Sequence, residues 1–185
     1  MAKRPNYTSP VGTLYFPKLN TPTQFKGKGE PFYEAALDVA GGEGVKFEAA
    51  LGAYAHLYGQ RVGAKIDISG IAGPATAKDG ERKVVIPDMT RVKFKVRAET
   101  PMRDGTVWNR KPSFVDALGL PFDEEPQIWG GTTCAIVYDI YEWEAQGKYG
   151  MTLQPLQIRI VELVTDNRDL TVAPPSLESQ LASGF

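Results

Sequence analysis

The sequence predicts a mainly β fold: a small antiparallel barrel with one inserted helix. Three observations carry that prediction. At least five segments read as strands, the clearest alternating apolar and polar residues with period two. Only one segment, 43–60, switches to the helical period. Turn residues punctuate the chain, notably Asn20-Thr21-Pro22, Gly73-Pro74 and Asp104-Gly105. At 185 residues the chain has single-domain size and can bury roughly 70% of its unfolded surface.

Residues 11–19, VGTLYFPKL, read as a first strand interrupted at Pro17, with Asn20-Thr21-Pro22 as a turn. PFYEAALDV at 31–39 reads as a second strand. Over 43–60, Phe47, Leu51, Tyr54 and Tyr58 form one apolar stripe at helical spacing, and Gly59 is the expected stop. Residues 63–83 are rich in Gly, Ala and Lys and read as a long, mobile surface excursion. Strand period returns at 90–98. Asp104-Gly105 marks a hairpin, TVWNRK at 106–111 returns from it, and SFVDAL at 113–118 continues or begins another strand. LPFDEEP at 120–126 is a turn-rich connection. TTCAIVYDIYEW at 132–143 is the clearest strand, and MTLQPLQIRIVELV at 151–164 follows it across Ala145–Gly150 as its antiparallel partner. From Thr165 the chain turns polar. The expected organisation is a barrel over 1–164 and a flexible tail over 165–185. Barrels of this kind include the OB fold, which binds oligonucleotides and oligosaccharides on one face.

Composition narrows the function classes. Cys134 is the single cysteine and His56 the single histidine, which excludes a disulfide framework and a cysteine- or histidine-rich metal site. No apolar run approaches the roughly 20 residues of a membrane span, and no signal-peptide core follows Met1. A cytoplasmic protein without membrane contact is expected. There is no Walker A loop, dinucleotide fingerprint, HExxH or GxSxG. Asp123-Glu124-Glu125 reads as a solvated turn between prolines, and Cys134 falls on a predicted core face. The sequence predicts no enzyme and no cofactor.

The net charge of −1 conceals an asymmetry. Residues 91–111 carry 7 basic and 2 acidic side chains, while 112–185 carry 3 basic and 11 acidic. In RVKFKVR at 91–97, Arg91, Lys93, Lys95 and Arg97 share one parity and Val92, Phe94 and Val96 the other. A strand here presents one apolar and one wholly cationic face. Either acidic neighbours such as Asp139, Glu142 or Glu144 neutralise that face, or it tracks a phosphate backbone. Single-strand binders pair such grooves with aromatic platforms on which bases stack. Candidates exist. Cys134, Ile136, Tyr138 and Ile140 should face the core, which turns Tyr141 and Trp143 outward. Trp108 lies among Arg103, Arg110 and Lys111. Tyr15 and Phe16 occupy opposite faces of the first strand, so one is surplus to the core. Lys148 and Tyr149 sit at the tip of the long hairpin.

Four stretches carry a resemblance. YTSPVGTLYFPKLNTP opens the chain, FYEAALDV precedes the helix, RVKFKVRAE is the basic strand, and IWGGTTCAIVYDIYEWEAQGKYGMTLQPLQIRIVELV is a long hairpin with an aromatic-x-Trp end and a Val-Glu-Leu close. In this order they resemble the single-stranded DNA-binding proteins of tailed bacteriophages, of the short-tailed-phage type, and cover most of 7–164. The resemblance implies an OB fold that coats single-stranded DNA without sequence preference during phage replication and recombination, in the cytoplasm of a bacterial host. It implies replisome contacts through an acidic tail whose last residue is Phe, here Phe185, and is compatible with a weak homo-oligomer. The tail departs from the pattern, with Asp166, Asp169 and Glu178 against Arg168. Phosphates are then expected on Arg91, Lys93, Lys95 and Arg97, and bases on Tyr141, Trp143 and Trp108. Lys3, Arg4, Arg110, Lys111, Lys148 and Tyr149 would extend the path. The competing expectation is an OB-like or sandwich module that binds a protein or sugar, whose basic strand would be paired with acidic ones.

Overall fold

A computed structural model describes residues 4–165 of the chain. Lys3 and the expected tail from residue 166 to Phe185 lie outside the described residues. The described part is mainly β and carries one helix. In chain order the elements are β1 (Tyr7–Thr8), β2 (Gly12–Phe25), β3 (Lys28–Ala40), α1 (Gly41–Val62), β4 (Ala72–Asp79), β5 (Arg82–Arg97), β6 (Glu99–Pro101), β7 (Val107–Asn109), β8 (Ser113–Val115), β9 (Thr133–Ala145) and β10 (Lys148–Glu162).

The main sheet runs β4-β5-β3-β2-β9-β10-β8, with β1 also on β9. All of its pairs are antiparallel except β10 with β8, which run parallel. β10 curls back and packs against β5, yet no hydrogen-bonded ladder joins them. The OB-like sheet is therefore not closed by hydrogen bonds, and β5 and β10 lie side by side along that seam. Inside lie Leu14, Leu37, Val92, Phe94, Ile136, Leu153 and Ile158, each at most 2% exposed. Burying each such side chain contributes about 1.5–3 kcal/mol. The helix adds Phe47, Leu51 and Tyr58 to this core, as its stripe predicts.

Four expectations are corrected. β2 runs straight through Pro17 and the 20–22 segment, because register shifts between Tyr15 and Lys18 and between Lys18 and Thr23 absorb the irregularity. α1 continues past Gly59 and stops at Gly63, whose φ of 69° suits the left-handed C-terminal position. Gly59 serves a different need: a Cβ there would collide with the carbonyl of Ala64. Residues 63–83 are no structureless excursion, since β4 pairs with β5, and β5 begins at Arg82 rather than near 90. The long hairpin turns at Gln146-Gly147, with φ of 53° and 74°, so β10 starts at Lys148.

Candidate nucleic-acid interface

β5 alternates as its sequence requires. Val92, Phe94 and Val96 are buried, while Lys93, Lys95 and Arg97 are exposed. The neighbouring strand decides what faces the cations. In the β3–β5 register, Arg91 lies beside Asp38, Lys93 beside Ala36, Lys95 beside Glu34 and Arg97 beside Phe32.

These four positions are not equivalent. The Arg91 guanidinium forks onto Asp38, with Nε donating to Oδ1 at 2.6 Å and Nη2 to Oδ2 at 2.8 Å. Its Nη1 donates to the Thr76 carbonyl at 2.9 Å. The hydrogen bonds that Arg91 donates to the Asp38 carboxylate hold the Arg91 pKa above its ordinary value. Arg91 is thus engaged on every side. Arg97 pairs with Glu30 at 2.9 Å, both well exposed, a pair that water screens. Lys93 and Lys95 form no ion pair among the described residues. Lys95 Nζ stands 3.5 Å from the centroid of Phe32. The acidic residues expected from the long hairpin serve elsewhere: Asp139 lies 3.6 Å from Arg4, and Glu142 accepts from Arg61 and Tyr54.

Beside the two unpaired lysines lies an aromatic pair. Tyr15 is the β3 partner of Ala36 and Lys18 the partner of Glu34, so Phe16 and Pro17 stand opposite the single residue Ala35 and β2 carries one extra residue as a bulge. Phe16 takes φ +44°, rare for a bulky residue. The bulge resets the strand parity, and both rings leave the core. Phe16 is 70% exposed and meets Tyr15 edge-on at 4.6 Å. Tyr15 covers the Arg91 guanidinium at 3.5 Å. Tyr15, Phe16, Ala36, Lys93, Lys95 and Thr152 line an open groove of about 400 Å³, with Glu34 also in its wall. Ala36 leaves its floor low between the aromatics and the lysines.

A second cluster sits on the outer face of β9 and β10. Tyr141 is half exposed, with Arg4 4.7 Å from its ring centroid. Arg110 donates to Gln154 at 2.7 Å and lies 4.8 Å from the centroid of Trp108, which is also half exposed. Burial lowers the Arg110 pKa from its ordinary value. Asp139 lies on the same outer face, and its Oδ1 is buried with no hydrogen-bond partner. The cross-strand partner of Tyr141 is Thr152, which lines the first groove. The two clusters therefore adjoin across β10.

The remaining sequence candidates fall outside this arrangement. Trp143 lies over Gly150, where any Cβ would strike its ring, so it covers the hairpin. Tyr149 points to the opposite face and packs toward the core. Lys148 is exposed at the hairpin tip. Lys111 pairs with Glu125 at 2.5 Å, which lowers the Glu125 pKa. Sequence reasoning found Tyr15 and Phe16 but expected one of them inside. It missed Lys78 and Lys83, which β4 and β5 bring to the wall of an adjoining groove that shares Tyr15, Arg91 and Lys93 with the first.

Among the described residues no group of His, Cys, Asp and Glu is placed to hold a metal ion. Burial pushes the Cys134 thiol up to about 12. No described helix is long and apolar enough to cross a membrane.

No family model matches the chain, and no curated protein matches its sequence. Solved structures do resemble it. One is the crystal structure of gp2.5, a single-stranded DNA-binding protein encoded by bacteriophage T7. It shares 22% identity and a TM-score of 0.58, covering 94% of this chain and 100% of that one. Another is the single-stranded DNA-binding protein from bacteriophage Enc34 in complex with single-stranded DNA, at 11% identity and TM-score 0.61, covering 85% of this chain and 86% of that one. A C-terminally truncated form of the Enc34 protein matches at 16% identity and TM-score 0.58, over 85% of each chain. At these identities the likeness establishes the shared fold.

Proposed function

We propose that the chain is a single-stranded DNA-binding protein that coats and protects exposed strands without sequence preference, in phage replication and recombination. One observation carries the reading: two unpaired lysines, Lys93 and Lys95, share an open groove with two aromatic rings that the core does not use, Tyr15 and Phe16. Cations that track phosphates beside rings that accept bases are what single-strand binding requires. The three solved structures of like fold, all named as single-stranded DNA-binding proteins and one of them in complex with single-stranded DNA, support the same reading.

In this scheme Lys93 and Lys95 take the phosphates at the centre of the groove, and Arg97 takes one when it exchanges Glu30 for DNA. Tyr15 and Phe16 stack bases on one side, Tyr141 and Trp108 on the other, with Arg4 and Arg110 between them. Arg91 positions Tyr15 rather than contacting a phosphate. Trp143, Tyr149, Lys148 and Lys111 lie at the margins. The DNA-binding unit is 1–164, and 165–185 is a tail available for replisome partners. No cofactor and no catalytic step belong to this function.

The test is fluorescence anisotropy with a labelled dT oligonucleotide and the matching duplex at two salt concentrations. Tight, salt-sensitive binding to the single strand with much weaker duplex binding is expected. Equal binding to both would overturn the reading and favour a protein- or sugar-binding module.

A further inference from the structure

We infer that the β4–β5 arm is a second grip on the same strand, with Lys78 and Lys83 each holding a phosphate beyond the barrel face. This rests on the reading of the chain as a single-strand binder.

In the arm, Lys78 and Lys83 are direct cross-strand partners. Like charges so opposed destabilise a hairpin. Neither forms an ion pair among the described residues, and both are exposed. With Lys93, Arg91, Tyr15 and Ser69 they line a second groove of about 300 Å³. No carboxylate lines it. Three uncompensated lysines in one concavity are a site for a polyanion. Tyr15, Arg91 and Lys93 also line the aromatic groove, so the two form one continuous trough. A strand that stacks on Tyr15 and crosses Lys93 continues onto the arm.

The arm is held ready for this. β5 bulges over Ile86–Met89, where Pro87 and Asp88 (φ 51°) break the ladder and let the arm leave the barrel. Arg91 fixes its angle, bonding Asp38 of β3 and the Thr76 carbonyl of β4 at once. The backbone of the arm is therefore already placed, and binding has only the lysine side chains to order.

The experiment compares the full chain with the Lys78→Gln, Lys83→Gln double variant on dT30 across a salt series. Losing two phosphate contacts should lower the slope of log K against log salt by about 1.4, at roughly 0.7 per phosphate on single strands. From 50 to 200 mM salt the parent should then lose about sevenfold more affinity than the variant. The melting temperature should hold or rise, because a like-charge pair is removed. Lys46→Gln on α1 serves as the net-charge control and should leave the slope unchanged. An unchanged slope in the double variant, beside a parent that binds single strands, would overturn the arm's role and leave the proposed function standing. A slope lowered equally per charge by Lys46→Gln would also overturn it. A parent with no single-strand preference would overturn both.

Discussion

Arg91 and Asp38 are 11% and 12% exposed in their side chains and meet through two parallel hydrogen bonds across the β3–β5 ladder. Removing one partner of such a buried pair strands the other charge, at a cost of about 3 kcal/mol. Asp38→Ala should therefore lower stability in urea denaturation by about that much. Glu30→Ala, which releases the exposed Arg97, should change it by less than about 1 kcal/mol. Equal losses would show that Arg91 is not the structural anchor of the cationic strand.

Phe16 occupies a left-handed backbone position while exposing its ring. Strain of this kind costs of order 1–3 kcal/mol. Phe16→Gly should relieve part of it and raise the melting temperature. The same change removes a stacking face worth roughly 1–3 kcal/mol to DNA binding. Stability and affinity should move in opposite directions, read by thermal melts and anisotropy on one sample.

Tyr141 and Trp143 look alike in sequence and differ in place. Trp143 covers Gly150, so Trp143→Ala should destabilise the hairpin by about 2 kcal/mol, less than a fully buried aromatic loses. Tyr141→Ala should leave the melting temperature nearly unchanged and weaken single-strand binding. The reverse pattern would move the stacking face to the hairpin's end.

Burial pushes the phenols of Tyr54 and Tyr138 up to about 12, from 10.0, and for Tyr54 the hydrogen bond to Glu142 adds to it. The folded state then holds protons that the unfolded state has released. Stability from these groups is complete below pH 10, their ordinary value, and is lost as pH rises toward 12. Melts across that window should fall steeply, and Tyr54→Phe should flatten part of the decline.

The clearest parts of this fold in the sequence were the segments that alternate against the core. β9 and β10 are legible because Cys134, Ile136, Tyr138 and Ile140 repeat on one parity over a full strand. β4 is not, because its Ala, Gly and Pro residues carry little alternation, and its outer half pairs with Val84 and Val85 away from the core. The bulge at Phe16 is invisible to a period-two reading, which assumes unbroken parity. The cationic face of β5 was legible as a pattern. Its division into an engaged Arg91 and free Lys93 and Lys95 was not, since the decisive partner, Asp38, lies 53 residues away.

The trough that runs from Thr152, beside Tyr141, over Lys93 and Tyr15 to the β4–β5 arm is open to solvent. A chain can be laid into it from the side, and no free end has to be threaded. Under the proposed function, such a surface would take a gap, a bubble or a closed circle as readily as a linear fragment.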